Sequence, residues 1–270
     1  MPGPQSSRSH RRRPPQDRDA QRGVIKTFGM DVLQQGSSFA PMMDGPNRGK
    51  RSIGLALENA ESRPVLEELA RRSDVFLTNF LLSARATLKI DASDIQAINP
   101  DIVYGLGAGF GYTGPGAGNG GYDATAFWAR GGSAACATAP DPDRPVAQPT
   151  GAYGDPIGGM TLAGGIAAAL FARGQTGRAA VVDVSLLGVG AWATQLSVNL
   201  ALQAGGPVPG YSFPRRNAST NPLVGNYRTA DGGWLMLTML QPGKYWPVFC
   251  AAAGRLELAA DERFEDRGRR

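Results

Sequence analysis

Histidine is almost missing from this chain: among 270 residues there is one, His10. Ser-His and Cys-His nucleophile pairs and His-ligated zinc therefore lack the side chain they need within the apolar body of the sequence. Cysteine is nearly as scarce. Cys136 and Cys250 stand far apart with no metal-ligating neighbour, which excludes a disulfide framework and reads as reduced thiols in the cytoplasm. Arginine pairs occur near the N-terminus, but no apolar stretch or small-residue cleavage site follows them, so no export signal is expected. Long hydrophobic runs are also lacking. The stretch 159–172 is too short for a membrane span, and 186–204 is interrupted by Thr194, Gln195, Ser197, Asn199 and Gln203; both are predicted to be buried helices, with no membrane partner. The formal charge of +5 is no basic stripe. Residues 1–22 hold six Arg against two Asp, which accounts for four of the five charges and leaves the body near neutral. The footprint of a nucleic-acid binder is absent.

The remaining sequence is ordinary for a globular protein, with 42% hydrophobic and 19% charged residues. Residues 1–22, rich in Pro, Ser, Arg and Gln without apolar periodicity, are expected to form a disordered basic tail. From residue 51 onward extended and helical patterns alternate: strands over 53–57, 74–78, 102–106 and 180–184, and helices over 60–72, 83–88, 93–98, 124–129, 160–173 and 186–203. This alternation predicts an α/β fold with a Rossmann-like parallel sheet in a large domain, 23–206. Past Gly205-Gly206-Pro207 the texture changes. Two apolar runs flank Asp231-Gly232-Gly233, which predicts a β-hairpin, followed by a helix over 244–253, so 207–270 is assigned to a smaller α+β domain.

Three segments carry candidate chemistry. Gly109-Phe110-Gly111-Tyr112-Thr113-Gly114 has dinucleotide-loop spacing, but Pro115, Gly116, Gly118, Gly120 and Gly121 prolong the loop, so no helix N-terminus follows to meet a pyrophosphate. Asn47-Arg48-Gly49-Lys50-Arg51 reads either as a solvated basic turn or as a loop that approaches phosphates. Asp155, between Gly154 and Pro156 and ahead of a helix expected to start near Gly158, reads either as a capping aspartate or as a reactive carboxylate aimed at a helix N-terminus.

Taken together, NRGKRSIGLAL, DVFLTNF, NPDIVYGLGAGFGYTGP, GGYDATAFWARGG, GAYGDPIGG and ALFARGQTGRAAVVDVSLL resemble successive blocks of the class III CoA-transferases, the CaiB/BaiF type, from about residue 47 to residue 270. The resemblance implies that Asp155 is the nucleophile. Its carboxylate would attack an acyl-CoA thioester to give a mixed anhydride, coenzyme A thiolate would convert this to an aspartyl thioester, and a carboxylic acid acceptor would open it. Amides of Gly158 and Gly159 would stabilise the oxyanion. It further implies that Asn47, Lys50, Asn79, Phe80, Arg85, Tyr122 and Asp123 bind coenzyme A, with Lys50 and Arg85 on phosphates and Phe80 and Tyr122 against the adenine or pantetheine. Coenzyme A and acyl-CoA are then substrates, with no permanent cofactor and no metal, and the protein is an interlocked homodimer.

The resemblance also carries departures. Only Val24-Ile25-Lys26 matches the family's second strand, its first strand is missing, and about a third of a usual member would follow residue 270, so the large domain is expected to be incomplete. These departures leave open an inactive remnant or weak coenzyme A-binding fragment, and the same superfamily offers a second enzymatic reading, an acyl-CoA racemase. The racemase of this superfamily takes its base from a Gly-His-Asp segment, where this chain has Gly121-Tyr122-Asp123. A phenol, ordinarily near pKa of about 10, is a poor base at neutral pH.

Overall fold

The computed structural model describes residues 45–138, 143–206 and 221–264; the basic tail and the Val24-Ile25-Lys26 stretch lie outside them. In chain order the elements are a 3-10 turn (Ala60–Ser62), α1 (Arg63–Arg71), β1 (Val75–Thr78), α2 (Leu82–Leu88), α3 (Ala92–Ile98), β2 (Val103–Ala108), a π-helix (Ala124–Arg130), α4 (Ser133–Ala137) and α5 (Gly154–Thr176). They continue as β3 (Val181–Ser185), α6 (Leu186–Ala193), α7 (Gln195–Ala204), β4 (Val224–Arg228), β5 (Trp234–Thr238) and α8 (Pro242–Ala252), with 3-10 turns Leu256–Ala259 and Glu262–Phe264 closing the series. The chain divides into two compact units, 1–121 with 149–185, and 122–148 with 186–270.

The first unit is built on a parallel sheet in the order β1-β2-β3. Side chains alternate along β2, so its two faces have different characters. Tyr104 and Leu106 join a core with Ala70 of α1, Ile95 of α3, Ile90 and Ile102. Tyr104 stacks on Phe76 of β1 with centroids 5.6 Å apart, and its hydroxyl donates to the Ile90 carbonyl at 2.9 Å. Burial pushes that hydroxyl up to about 12, against the opposing pull of the Arg85 guanidinium, so it stays a neutral donor. The other face of β2 carries Gly105 and Gly107, and α5 lies on it. A Cβ at Gly105 would stand 2.9 Å from Ile166 Cδ1, and one at Gly165 would stand 2.7 Å from Val182. Helix and sheet approach this closely only because glycine faces each way.

Contacts along α5 fix its direction. Leu162 lies against Gly107, near the end of β2, while Ile166 lies against Gly105. Arg173, near the other end of the helix, donates to the Asp101 carbonyl at 2.7 Å and pairs with Asp74 at 2.7 Å, both residues just ahead of strands. The helix therefore runs antiparallel to the strands, with its N-terminus at the sheet's C-terminal edge.

In the second unit, the π-helix packs on α6 through bare backbone: a Cβ at Gly190 would stand 2.6 Å from the Phe127 carbonyl oxygen and 2.8 Å from Gly131 Cα. Leu237 of the antiparallel hairpin β4-β5 and Leu223, just ahead of β4, join a core completed by Trp246 and Cys250 of α8. Asn221 straps that core, donating to the Met239 carbonyl and accepting from Leu223 N–H, both at 3.0 Å.

Four sequence expectations are corrected. Residues 53–57 form no strand and pair with none among the described residues, leaving Ile53 exposed. The helix predicted over 160–173 begins six residues earlier, at Gly154, because Pro156 falls in the first turn, where its missing N–H costs no helix bond. The single helix predicted over 186–203 breaks at Thr194, whose hydroxyl donates to the Gly131 carbonyl at 2.8 Å instead of facing solvent. Neither apolar stretch is a buried helix. Along α5 only Gly154, Gly158, Leu162 and Ala169 are buried, Phe171 is 73% exposed, and α7 has no buried residue. By length and composition α5 would also suffice to cross a membrane, though its Gly165 side is packed on the sheet.

The backbone contact of Gly190 gives a direct check. Gly190→Ala has no flexible neighbour to displace and should destabilise the protein by about 1–3 kcal/mol, read as a lower urea midpoint at unchanged slope.

Candidate active site

The C-terminal edge of the parallel sheet is where open α/β sheets place ligands, and several of the sequence candidates collect there. After β1, Thr78 Oγ1 accepts from Phe80 N–H at 3.2 Å, turning the chain so that Asn79 and Phe80 emerge exposed beyond the strand. Asn79 lies beside Gly107 of β2. Arg85 on α2 secures this segment from below. It is 3% exposed, donates Nη1 to the Phe80 carbonyl at 2.7 Å and Nε to Asp91 at 3.2 Å, and lies over the Tyr112 ring with Cζ 5.4 Å from the centroid. Asp91 in turn caps α3 in a reciprocal arrangement with Asp94. The guanidinium is thus engaged within the protein on every side that these contacts define.

Asp155 arrives at the same edge on α5. It is the second residue of the helix and seven positions ahead of Leu162, so at 1.5 Å per residue it stands about 10 Å beyond the Gly107 contact, past the strand ends. Tyr153 is the N-cap, and Asp155 is exposed in the first turn, where the helix dipole favours negative charge. Three residues ahead of it, Ala152 takes φ +56°, a left-handed conformation that costs a non-glycine residue roughly 1–2 kcal/mol. With the helix begun at Gly154, the amides of Gly158 and Gly159 belong to the internal ladder and donate toward residues 154 and 155. Their expected oxyanion role does not fit this geometry.

The basic loop keeps its two candidates together: Lys50 Nζ donates to Asn47 Oδ1 at 3.2 Å across a turn that Gly49 enables at φ +75°, with both side chains exposed. Tyr122 and Asp123 belong to the second unit. Tyr122 is 85% exposed, whereas Asp123 is buried at 7% and accepts from Ala124 N–H at 2.8 Å at the start of the π-helix. Among the described residues, no three His, Cys, Asp or Glu side chains gather as a metal-ligand set.

A model of one family, CoA-transferase family III, matches residues 13–270. The chain belongs to CoA-transferase family III. The chain is 28% identical over 226 residues to (R)-2-hydroxy-4-methylpentanoate CoA-transferase of Clostridioides difficile, covering 84% of this chain and 55% of that one. It is also 30% identical over 236 residues to human alpha-methylacyl-CoA racemase, covering 82% and 57%. Among solved structures, a CAIB/BAIF family protein from Brucella suis superposes with a TM-score of 0.65 at 28% identity, over 82% of this chain and 57% of that one. This family III chain spans little more than half the length of the curated relatives it matches.

Two contacts at this edge of the family III chain escape sequence reading. Asp183 on β3 accepts from the Tyr112 N–H at 3.0 Å, and Phe110 fills the glycine loop, within reach of any Cβ placed at Gly116 or Gly121. A lone acid in the apolar run VVDVS and two aromatics among seven glycines are the signals that mark them. The engagement of Arg85 predicts its own outcome: Arg85→Ala strands Asp91 and the Phe80 carbonyl and should cost about 3 kcal/mol in urea unfolding.

Proposed function

We propose that this chain carries the acyl-exchange half of a CoA-transferase, with Asp155 as the nucleophile that passes coenzyme A from an acyl-CoA to a carboxylic acid. The observation that supports it best is the projection of Asp155 past the C-terminal edge of the sheet, on a helix whose glycine packing fixes its position. In the first step a carboxylate oxygen of Asp155 attacks the thioester carbonyl. The C–S bond breaks, coenzyme A leaves as thiolate, and an aspartyl-acyl anhydride remains. The thiolate then attacks the aspartyl carbonyl, releasing the donor acid and leaving an aspartyl-CoA thioester. The acceptor carboxylate reverses the sequence. No net proton or electron is consumed.

Lys50, held by Asn47 in an exposed turn, is the phosphate-facing cation of this reading, and Asn79 and Phe80, exposed beyond β1, are its further coenzyme A contacts. For Tyr122 and Asp123 the family resemblance alone carries the expectation of coenzyme A contact: within its own unit Tyr122 is exposed, and Asp123 accepts from Ala124 N–H at the start of the π-helix. Arg85 acts one step back, through the Phe80 carbonyl. The spaced cysteines fit a reducing cytoplasm, and the family resemblance carries the expectation of an interlocked homodimer. Racemisation has a named relative behind it, but the only histidine of this chain is His10, in the tail.

The test is peptide mass spectrometry after incubation with a panel of acyl-CoAs. A hydroxylamine-labile adduct on the peptide bearing Asp155, absent in Asp155→Ala together with an activity loss of about a thousandfold or more, is expected. A folded protein that forms no adduct would be the inactive remnant instead. Lys50→Ala should leave stability within about 0.5 kcal/mol and weaken coenzyme A binding about tenfold by calorimetry, the loss of one charged contact.

A further inference from the structure

The glycine-rich loop that follows β2 is closed at its base and tied down at its crown. At the base, Gly109 and Gly121 touch through bare backbone: a Cβ on Gly109 would stand 2.9 Å from the Gly121 N, Cα and O atoms. The Phe110 side chain fills the enclosed space, its ring 2.6 Å from a Cβ built at Gly121 and its own Cβ 3.1 Å from one built at Gly116. At the crown, the Tyr112 N–H donates to Asp183 Oδ2 at 3.0 Å, and the Tyr112 ring lies against the Arg85 guanidinium, 5.4 Å from centroid to Cζ. Arg85 also holds the Phe80 carbonyl at 2.7 Å. One line of contacts therefore runs from the segment after β1, across the loop after β2, to a side chain on β3.

We propose that Tyr112 is a positioning residue that pins this loop across the C-terminal edge of the sheet and so sets the space in which an acyl-CoA lies against Asp155. The proposal rests on the acyl-exchange reading given above. Its physical basis is entropy. Seven of the thirteen residues from 109 to 121 are glycine, the residue that loses most conformational freedom on ordering. An untethered loop of this composition would have to be ordered by the ligand, and that cost lowers apparent affinity without changing the reacting geometry once bound. Tyr112 contributes its ring and its amide to the two tethers; the hydroxyl makes neither contact. The ring tether is thus lost in Tyr112→Ala and kept in Tyr112→Phe. The amide tether is lost in Asp183→Ala and kept in Asp183→Asn, which retains an acceptor oxygen.

The experiment combines hydrogen exchange across residues 110–118, calorimetric binding of coenzyme A, and steady-state acyl exchange on the full chain. Tyr112→Ala and Asp183→Ala are expected to speed exchange in the loop and to raise both the Kd for coenzyme A and the KM for acyl-CoA about tenfold, with kcat within twofold of wild type. Tyr112→Phe and Asp183→Asn are expected to match wild type. Since Tyr112 is 38% exposed and Asp183 is exposed, neither change hollows the core; if Tyr112→Ala fails to fold, Asp183→Ala carries the same test. The proposal is overturned if the alanine variants keep wild-type Kd and KM, if they lose kcat at unchanged KM, or if Tyr112→Phe is as impaired as Tyr112→Ala. A wild type that binds coenzyme A but forms no aspartyl adduct removes the acyl-exchange reading alone, and the loop tether is then judged on exchange and Kd. A folded wild type that does not bind coenzyme A overturns both.

Discussion

The close seating of α5 on the glycine face of β2 is the constraint on which the rest of the first unit depends. A Cβ at Gly105 would crowd Ile166 of the helix and one at Gly165 would crowd Val182 of β3, so glycine at these two positions lets helix and sheet sit close, while Gly107 receives Leu162 at an ordinary 3.6 Å. The seat fixes the helix along its axis as well as across it, because Leu162 and Ile166 address successive glycines and Arg173 fastens the far end to the carbonyl of Asp101. Everything at the other end follows from this. The first turn, with Asp155 in it, is carried a defined distance past the strand ends. For the nucleophile role proposed above, such placement matters, since a small misalignment costs far more rate than any single contact returns.

At the same edge of the sheet, polar contacts organise the segments that follow β1 and β2. Arg85 shows how. A buried guanidinium is tolerable only with its charge paired and its donors used, and Asp91 and the Phe80 carbonyl supply this. In exchange the segment 79–81 is held open at the strand end, with Asn79 and Phe80 presented outward. Asp183 does the same for the glycine loop from the opposite strand. The exposed apolar residues Met160 and Phe171 on α5 and Trp192, Leu196 and Leu202 on α6 and α7 contribute nothing to these arrangements.

Much of the fold was legible in the sequence where the signal is local. Short apolar runs bounded by turn residues mark β1, β2 and β3, and Asp231-Gly232-Gly233 marks the hairpin, to within two residues. The failures come from contacts that no helix or strand period encodes. Thr194 ends α6 because of a carbonyl 63 positions earlier, and Arg85 is spent on Asp91 and the Phe80 carbonyl, six and five positions away on either side of it. The start of α5 was hidden differently: Gly154, Pro156 and two glycines are poor helix formers by propensity, and packing against the sheet overrides them. Of the candidate site, Asp155 and the Asn47–Lys50 turn were readable as motifs. The Tyr112–Asp183 contact was not, being a bond across 71 positions.

Isotope transfer from the acceptor to the protein tests the role of Asp155 most directly. If the acceptor carboxylate is labelled with oxygen-18, its attack on an aspartyl-CoA thioester leaves one labelled oxygen in the anhydride bridge, and the returning thiolate, by taking the acyl carbonyl, strands that oxygen on the aspartate. After multiple turnovers the peptide bearing Asp155 should be heavier by the mass difference of one oxygen isotope, or of two where both carboxylate oxygens have taken part, and no other peptide should be. Turnover that leaves Asp155 unlabelled would contradict the account, because acyl exchange through any other group, or directly between the two substrates, never places an acceptor oxygen on that carboxylate.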